Sequence, residues 1–248
     1  MSAPGMSAPH TAMVLAAGLG LRMRPLTLSR PKALVEVGGK ALIDHMLDRL
    51  AAAGVRRAVV NVHAQPDQLE AHLRTRVDLE IVVSNERDCL LETGGGLKAA
   101  RARLGDAPIF VANIDSLWIE RGEPTLDVLV KAWDGARMDA LLLLAPMQSC
   151  LGFDGPGDFF RAEDGRIAHR ATRARAPYAY MGVQILDPRL IDAWPAGPHG
   201  VFSHWMEMAE HNRLHGAIAD VFWMHVGDPA ARAAAEARLA AGAGAATG

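Results

Sequence analysis

The chain has 248 residues, 50% of them hydrophobic and 22% charged, with a formal net charge of -2. That balance suits a globular protein with a sizeable core and excludes a disordered chain. It also gives no basic field for coating nucleic acid, and no apolar run nears the ~20 residues a membrane helix needs.

The first ten residues, MSAPGMSAPH, lack the positive start and apolar stretch of a secretory signal, so a cytoplasmic protein with a flexible lead over 1–11 is expected. AMVLAA (12–17), RAVVNV (57–62), LEIVVS (79–84), PIFVAN (108–113) and DALLLLAP (139–146) read as strands apolar enough to be covered on both faces. Between them, 41–54 carries an apolar stripe at 42, 43, 46, 47 and 50 with Gly54 as its stop. Residues 66–74, 96–104 and 125–133 predict further helices. After 150, a Gly- and Asp-rich stretch reads as loop plus hairpin. A strand over 178–186, a helix over 204–214, strand pairs over 216–226 and a helix over 229–241 follow. Residues 242–248 read as a frayed tail. The expected fold is α/β: a doubly wound, mostly parallel, Rossmann-like sheet with a smaller, partly antiparallel substrate lobe. A single domain over 12–241 is expected, with a nucleotide-binding half over about 12–146 and a sugar-binding lobe over about 147–241. Cys89 and Cys150 make no disulfide framework or zinc pair.

The first strand runs into LAAGLGLRMRPLTLSRPK. Gly18 and Gly20 let amide N–H groups turn toward an anion, and Arg22, Arg24 and Lys32 supply cations. Lysine is scarce, 4 against 22 arginines, so Lys32 stands out. Pro25 and Pro31 stiffen the segment. Together these parts suit a triphosphate. The dinucleotide fingerprint fails because Met23 occupies its third glycine position, and Ala41 after Gly39-Lys40 breaks the P-loop pattern. The plainer reading of the glycines is a tight turn.

The whole stretch, Leu15, Ala16, Ala17, Gly18, Gly20, Arg22, Pro25-Leu26-Thr27 and Pro31-Lys32, resembles the signature of the sugar-1-phosphate nucleotidyltransferases. The family usually has Thr or Ser where Leu21 stands. The resemblance implies that Arg22 grips the β- and γ-phosphates and that Lys32 neutralises the α-phosphate under attack. It is detailed over 12–115 and patchy afterwards.

In Leu91-Glu92-Thr93-Gly94-Gly95-Gly96, glycines permit a flat base to lie against the backbone; the plainer alternative is a helix start capped by Thr93. By resemblance it is the base-reading loop, and Glu92, Thr93, Gly94 and Gly95 join the nucleotide site. The ETGGG form resembles the N-acetylmuramic acid 1-phosphate uridylyltransferase branch, which tilts the base toward uracil.

Strand 108–113 leads to Asn113 and Asp115, at the strand end where α/β folds bind ligands. The family usually reads N-x-D here, so Asn113 is assigned to both substrates and Asp115 to the metal. Magnesium, with manganese as substitute, accepts one or two carboxylates plus water and phosphate oxygens. The family's later Trp-x-Asp-x-Gly-Thr stands here as Trp223-Met224-His225-Val226-Gly227-Asp228. Either Asp115 holds magnesium alone, which is the preferred reading, or His225 ligates a softer ion, or Asp228 restores the charge. A site that binds without reacting is a further alternative. Gly157, Asp158, Tyr180 and Gly182 resemble the branch's sugar contacts, and one of Arg170, Arg173 and Arg175 is a candidate for the 1-phosphate. No nucleophile elbow or cysteine–histidine pattern suggests covalent catalysis.

The resemblance thus implies transfer of a nucleotidyl group, from UTP by preference, to a sugar 1-phosphate, N-acetylmuramic acid 1-phosphate by preference. Guanylyl transfer to a mannose- or heptose-type 1-phosphate is the alternative reaction, and a non-catalytic nucleotide-sugar-binding regulator the alternative class. No nucleic acid or membrane partner is expected, and the oligomeric state is left open.

Overall fold

The structure, a computed structural model, describes residues 8–245. β1 (Thr11–Leu15) opens the fold, and a long loop leads to a small hairpin of β2 (Glu36–Val37) and β3 (Lys40–Ala41). Helices and strands then alternate: α1 (Leu42–Ala52), β4 (Arg57–Val62), α2 (Pro66–Leu73), β5 (Glu80–Asn85), α3 (Glu92–Leu104) and β6 (Ile109–Asn113). β7 (Ser116–Glu120), α4 (Thr125–Ala132) and β8 (Ala140–Pro146) complete the first half. The second half adds β9 (Cys150–Leu151), β10 (Phe159–Arg161), β11 (Ile167–His169), β12 (Tyr178–Leu186), α5 (Phe202–Glu210), β13 (Leu214–Ile218), β14 (Val221–His225) and α6 (Pro229–Ala245).

Four parallel strands in the order β6-β1-β4-β5 form one side of the main sheet, with β5 at its edge. β1, β4 and β6 are buried on both faces, as their apolar runs predict, with Val59, Val60 and Val62 of β4 and Ala12, Met13 and Val14 of β1 fully buried, whereas the edge strand β5 is largely half-buried. β12 lies antiparallel between β6 and β8, and β13 runs parallel to β8 beyond it. The second half therefore contributes strands to the main sheet rather than resting against it. A second sheet, β7-β14-β9, stands at the same end as the carboxyl ends of β1 and β6 through the short Asn113-to-Ser116 link. In α1, the stripe Leu42, Ile43, Met46, Leu47 and Leu50 is buried as its spacing predicts.

Several boundaries differ from the sequence expectations. The lead is structured from His10, whose carbonyl accepts from the N–H groups of Arg56 and Arg57; residues 1–7 lie outside the described part. α6 continues past 241 to Ala245, because its many alanines outweigh two glycines, while 246–248 are outside the described part. The expected helix over 204–214 spans Phe202–Glu210, since Leu214 already pairs with Ala140. The strand pairs expected over 216–226 do not pair with each other: β13 joins β8 and β14 joins β7. Among the described residues no helix is long and apolar enough to cross a membrane.

Candidate active site

β1 delivers the chain into a turn that opens a cavity of about 330 Å³ at the strand ends. Its lining includes Leu15, Ala17 and Gly18 from the turn, Glu92 and Thr93 from the start of α3, and Asn113 and Asp115 after β6. A cavity of about 110 Å³ adjoins it, lined by Tyr180, Gly182, Phe153, Trp223 and His225 together with Asn113 and Asp115 again. Asn113 and Asp115 thus wall both spaces. The Asn113 side chain makes no hydrogen bond among the described residues, so its amide is available to either.

Gly20 has φ +62°, and a Cβ there would lie 2.9 Å from Thr27 Cγ2 and 3.0 Å from Lys32 Cβ. Thr27 Oγ1 donates to the Gly20 carbonyl at 2.8 Å, which folds the loop back and delivers Lys32. Lys32 Nζ stands 2.6 Å from Asp115 Oδ2, and His225 Nε2 is 3.4 Å from the same oxygen. Burial alone would raise the Asp115 carboxyl; the His225 imidazole and the Lys32 ammonium outweigh it and hold the group well below the usual carboxylate range. Asp115 Oδ1 accepts no hydrogen bond among the described residues.

Arg22 is exposed and lines neither cavity, but it reaches toward the site: a Cβ on Gly227 would be 3.3 Å from its Nη2 and 2.9 Å from His225 Cε1. Glycine at 227 therefore lets the guanidinium and the imidazole approach. Arg24 is exposed and unpaired among the described residues.

The three glycines after Thr93 have a packing role that the sequence did not show. They lie inside α3, and Gly94 and Gly95 donate their N–H groups to the His199 carbonyl at 2.9 and 3.0 Å. A Cβ would fall 2.5 Å from His199 Cδ2 at Gly94 and 2.3 Å from the Gly197 carbonyl oxygen at Gly95. These two positions must be small because the segment 197–201 presses on α3. Thr93 does not cap the helix; its hydroxyl accepts from the Val201 N–H at 2.9 Å. Glu92, at φ +60°, and Thr93 do line the cavity. Ala16 does not line it, and its N–H and that of Ala17 are both taken by Asn61 Oδ1.

Around the smaller cavity, Tyr180 packs edge-on against Trp205 at 4.8 Å, and burial together with the Asp115 charge pushes its phenol above its ordinary range. Gly182, at φ +77° in a bulge of β12, would bring a Cβ within 3.1 Å of Asn113 Cβ. Gly157 and Asp158 line neither cavity. Gly157 accommodates the Ala176 carbonyl, 2.2 Å from a Cβ built there, and the Asp158 carboxylate accepts from the Tyr180 N–H at 2.9 Å. Asp158 thus supports the Tyr180 backbone. Trp223 Nε1 donates to Ser116 Oγ at 2.8 Å, and Ser116 Oγ in turn donates to the Met181 carbonyl, tying three strands together behind this cavity.

The alternatives for the metal separate here. Asp228 Oδ1 accepts from the Ala231 N–H at 2.8 Å, so this carboxylate caps α6 rather than facing Asp115. His225 Nδ1 lies 3.2 Å from the Gly152 carbonyl and Nε2 faces Asp115 Oδ2 at 3.4 Å, so with the proton on Nδ1 the Nε2 lone pair points to the same place as the carboxylate. No group of three or more His, Cys, Asp or Glu side chains fit to hold a metal exists among the described residues. Of the three arginines, Arg170 donates to the carbonyls of Ala171 and Arg173, and Arg173 lies over the Phe160 ring. Burial and the nearby Asp158 charge push the Cys150 thiol up to about 11, so it is no nucleophile at neutral pH.

Sequence reasoning missed Asn61, a buried residue in the wall of the larger cavity, and Glu86, buried beside it. A lone asparagine inside the apolar run VVNV was the available signal.

Residues 12–149 match the model of the MobA-like NTP transferase domain. The chain is 54% identical over 237 residues to the N-acetylmuramate alpha-1-phosphate uridylyltransferase of Caulobacter vibrioides, covering 94% of this chain and 98% of that protein. It is 30% identical over 226 residues to a mannose-1-phosphate guanyltransferase of Aspergillus fumigatus, covering 88% of this chain but only 61% of that longer protein. The solved inositol-1-phosphate CTP transferase from T. maritima superposes with a TM-score of 0.74 over 90% of this chain and 91% of its own. At 18% identity that likeness is one of fold. The chain belongs to the MobA-like NTP transferase family and is a nucleotidyltransferase.

Proposed function

We propose that the protein joins UTP to N-acetylmuramic acid 1-phosphate, giving the UDP-sugar and pyrophosphate, in the cytoplasm and in the service of cell-wall sugar recycling. The observation that carries this reading is the 54% identity to a uridylyltransferase of that specificity over nearly the whole of both chains, with Glu92 and Thr93 lining the larger cavity. The guanyltransferase relatives match at lower identity and extend well beyond this chain, which disfavours guanylyl transfer. The relatives are enzymes by name, so the non-catalytic alternative has no support beyond His225 itself.

The triphosphate occupies the larger cavity and the sugar 1-phosphate the smaller one, and they meet at Asn113 and Asp115. A phosphate oxygen of the sugar attacks the α-phosphorus, a new P–O bond forms, and the bond to pyrophosphate breaks. The nucleophile is already an anion at neutral pH, so no general base is needed. The task is to bring two polyanions together and neutralise the α-phosphate. Lys32 has three N–H donors and gives one to Asp115, leaving two for phosphate oxygens. Arg22, exposed beside the site, holds the leaving pyrophosphate. Asn113 steadies the two substrates at their junction.

The donor set fits magnesium: one carboxylate, with Asp115 Oδ1 unengaged, suits an ion that keeps several waters and takes phosphate oxygens. Asp115 would hold it, and when bound it supplies further charge neutralisation at the phosphates. The test is pyrophosphate release from UTP with N-acetylmuramic acid 1-phosphate, run in magnesium and in manganese, against GTP with mannose 1-phosphate. Rapid release is expected with the first pair; release only with the second pair would replace this reading by guanylyl transfer.

A further inference from the structure

In the wall of the larger cavity, which Asn61 helps to line, lies a buried polar pair to which the proposed transfer assigns no role. Asn61, in β4, is 2% exposed, and Glu86, one residue past β5, is 3% exposed. Asn61 Oδ1 accepts from the N–H groups of Ala16 at 2.7 Å and Ala17 at 3.2 Å, which open the turn after β1. Its Nδ2 donates to Glu86 Oε1 at 2.8 Å. Glu86 Oε2 accepts from the Leu91 N–H at 3.2 Å, immediately before α3. An unbroken run of bonds thus joins the phosphate-side turn to the base-side loop through two side chains.

The surroundings are shaped to this pair. A Cβ on Gly96 would fall 2.8 Å from Glu86 Oε1 and 3.0 Å from Asn61 Nδ2, so α3 closes over the pair only because that residue is glycine. The Glu86 backbone is fixed as well: its N–H donates to the Val62 carbonyl at 2.9 Å, and its carbonyl faces His63 Nδ1 at 2.7 Å. Glu86 has no ion-pair partner among the described residues. Burying a carboxyl without a cation is costly unless its oxygens are hydrogen-bonded, and here each oxygen has its own donor. A role in filling space alone would be met better by an apolar side chain.

We propose that Asn61 and Glu86 are positioning residues that fix the spacing between the Ala16–Ala17 turn and the Leu91 loop, and thereby set affinity for the nucleoside triphosphate while leaving the sugar phosphate untouched. The inference rests on the larger cavity being the nucleotide site. Fixed spacing matters because a bound nucleotide touches both segments at once, and a pre-set gap removes the ordering cost from binding.

The pair allows a donor–acceptor exchange. Asn61→Asp keeps the acceptor for Ala16 and Ala17 but sets a second carboxyl against Glu86. Glu86→Gln keeps one acceptor oxygen and turns an amide N–H toward a donor. Combined, the two substitutions reverse the central bond: the new carboxylate at 61 accepts from the new amide at 86, and every other bond is retained. Each single variant is expected to weaken UTP binding, measured by calorimetric titration, on the order of tenfold. The KM for the sugar phosphate stays within about twofold, and the double variant returns most of the lost affinity. In Glu86→Gln, amide exchange should quicken at Ala16 and Ala17, which Glu86 does not touch.

Single variants that bind UTP like the parent, unchanged exchange at Ala16 and Ala17, or a double variant no better than the weaker single one would each overturn the proposal. Should a single variant not fold, the double variant decides: folding with near-parental UTP affinity supports the relay, and failure to bind overturns it. A parent protein that binds no UTP at all refutes the nucleotide reading itself, and the relay's role falls with it.

Discussion

Lys32 Nζ and Asp115 Oδ2 lie 2.6 Å apart although 83 residues separate them in the chain. The turn after β1 and the end of β6 meet there, at adjacent strands of the parallel sheet. The pair places a cation and an anion at the boundary of the two cavities, where charge would accumulate during transfer between phosphates.

Replacing Lys32 by alanine should lower turnover at least about a hundredfold, the order expected for loss of a preorganised charge at a developing oxyanion. UTP binding should stay detectable, because the turn amides and Arg22 remain. Pyrophosphate release and UTP titration on the same preparation check this. A near-parental rate would remove Lys32 from the mechanism.

Asp115→Asn should raise the magnesium concentration for half-maximal rate about tenfold or more, since an amide oxygen replaces the carboxylate that would hold the ion. The measurement is a magnesium titration of the initial rate. A superimposable curve would argue against ligation by Asp115.

Asp158 carries a pH prediction. Burial raises its carboxyl, and the Tyr180 N–H, His169 and Arg170 only partly offset that. A carboxyl raised in the folded state binds its proton more tightly there than in the unfolded chain. Stability from this group therefore grows as pH falls through the range just above about 4, and its charge opposes folding at neutral pH. Asp158→Asn retains an acceptor for Tyr180 and should match or exceed the parent Tm at pH 7, with the advantage shrinking toward about pH 4. A variant Tm below the parent at neutral pH would contradict this assignment.

Gly95→Ala should destabilise the fold by about 1–3 kcal/mol, the usual cost of overpacking. The new methyl would lie 2.3 Å from the Gly197 carbonyl oxygen, a backbone atom without rotamers to escape into. Gly18→Ala meets nothing within 4 Å and should be nearly neutral for stability. Denaturant unfolding of both variants compares them, and equal losses would mean that α3 and the 197–201 segment are not in tight contact.

The parallel strands were legible because burial on both faces leaves an apolar run with little else in it. β7 was not: Ser116–Glu120 follows Asn113 and Asp115 so closely that it reads as the tail of one strand, while its pairing with β14 arises from residues more than a hundred positions away. Lys32 and Asp115 were readable as candidates from their motifs, whereas their contact depends on the turn and β6 being neighbours in the sheet. Gly94 and Gly95 were visible as small residues, but a sequence does not say whether a small residue makes room for a ligand or for another part of the chain. Glu86 lies within the charged run NERD, where a carboxyl ordinarily means a solvated turn; only α3 closing over it at Gly96 buries it.

Asn113 and Asp115 belong to the walls of both cavities, so the two spaces meet at those residues. The UDP-sugar made by the proposed reaction would therefore stretch across the whole site as one molecule, excluding UTP with one end and the sugar phosphate with the other. Release is then the step at which the enzyme must surrender the contacts of both substrates together, and accumulation of product would restrain further synthesis without any separate regulatory site.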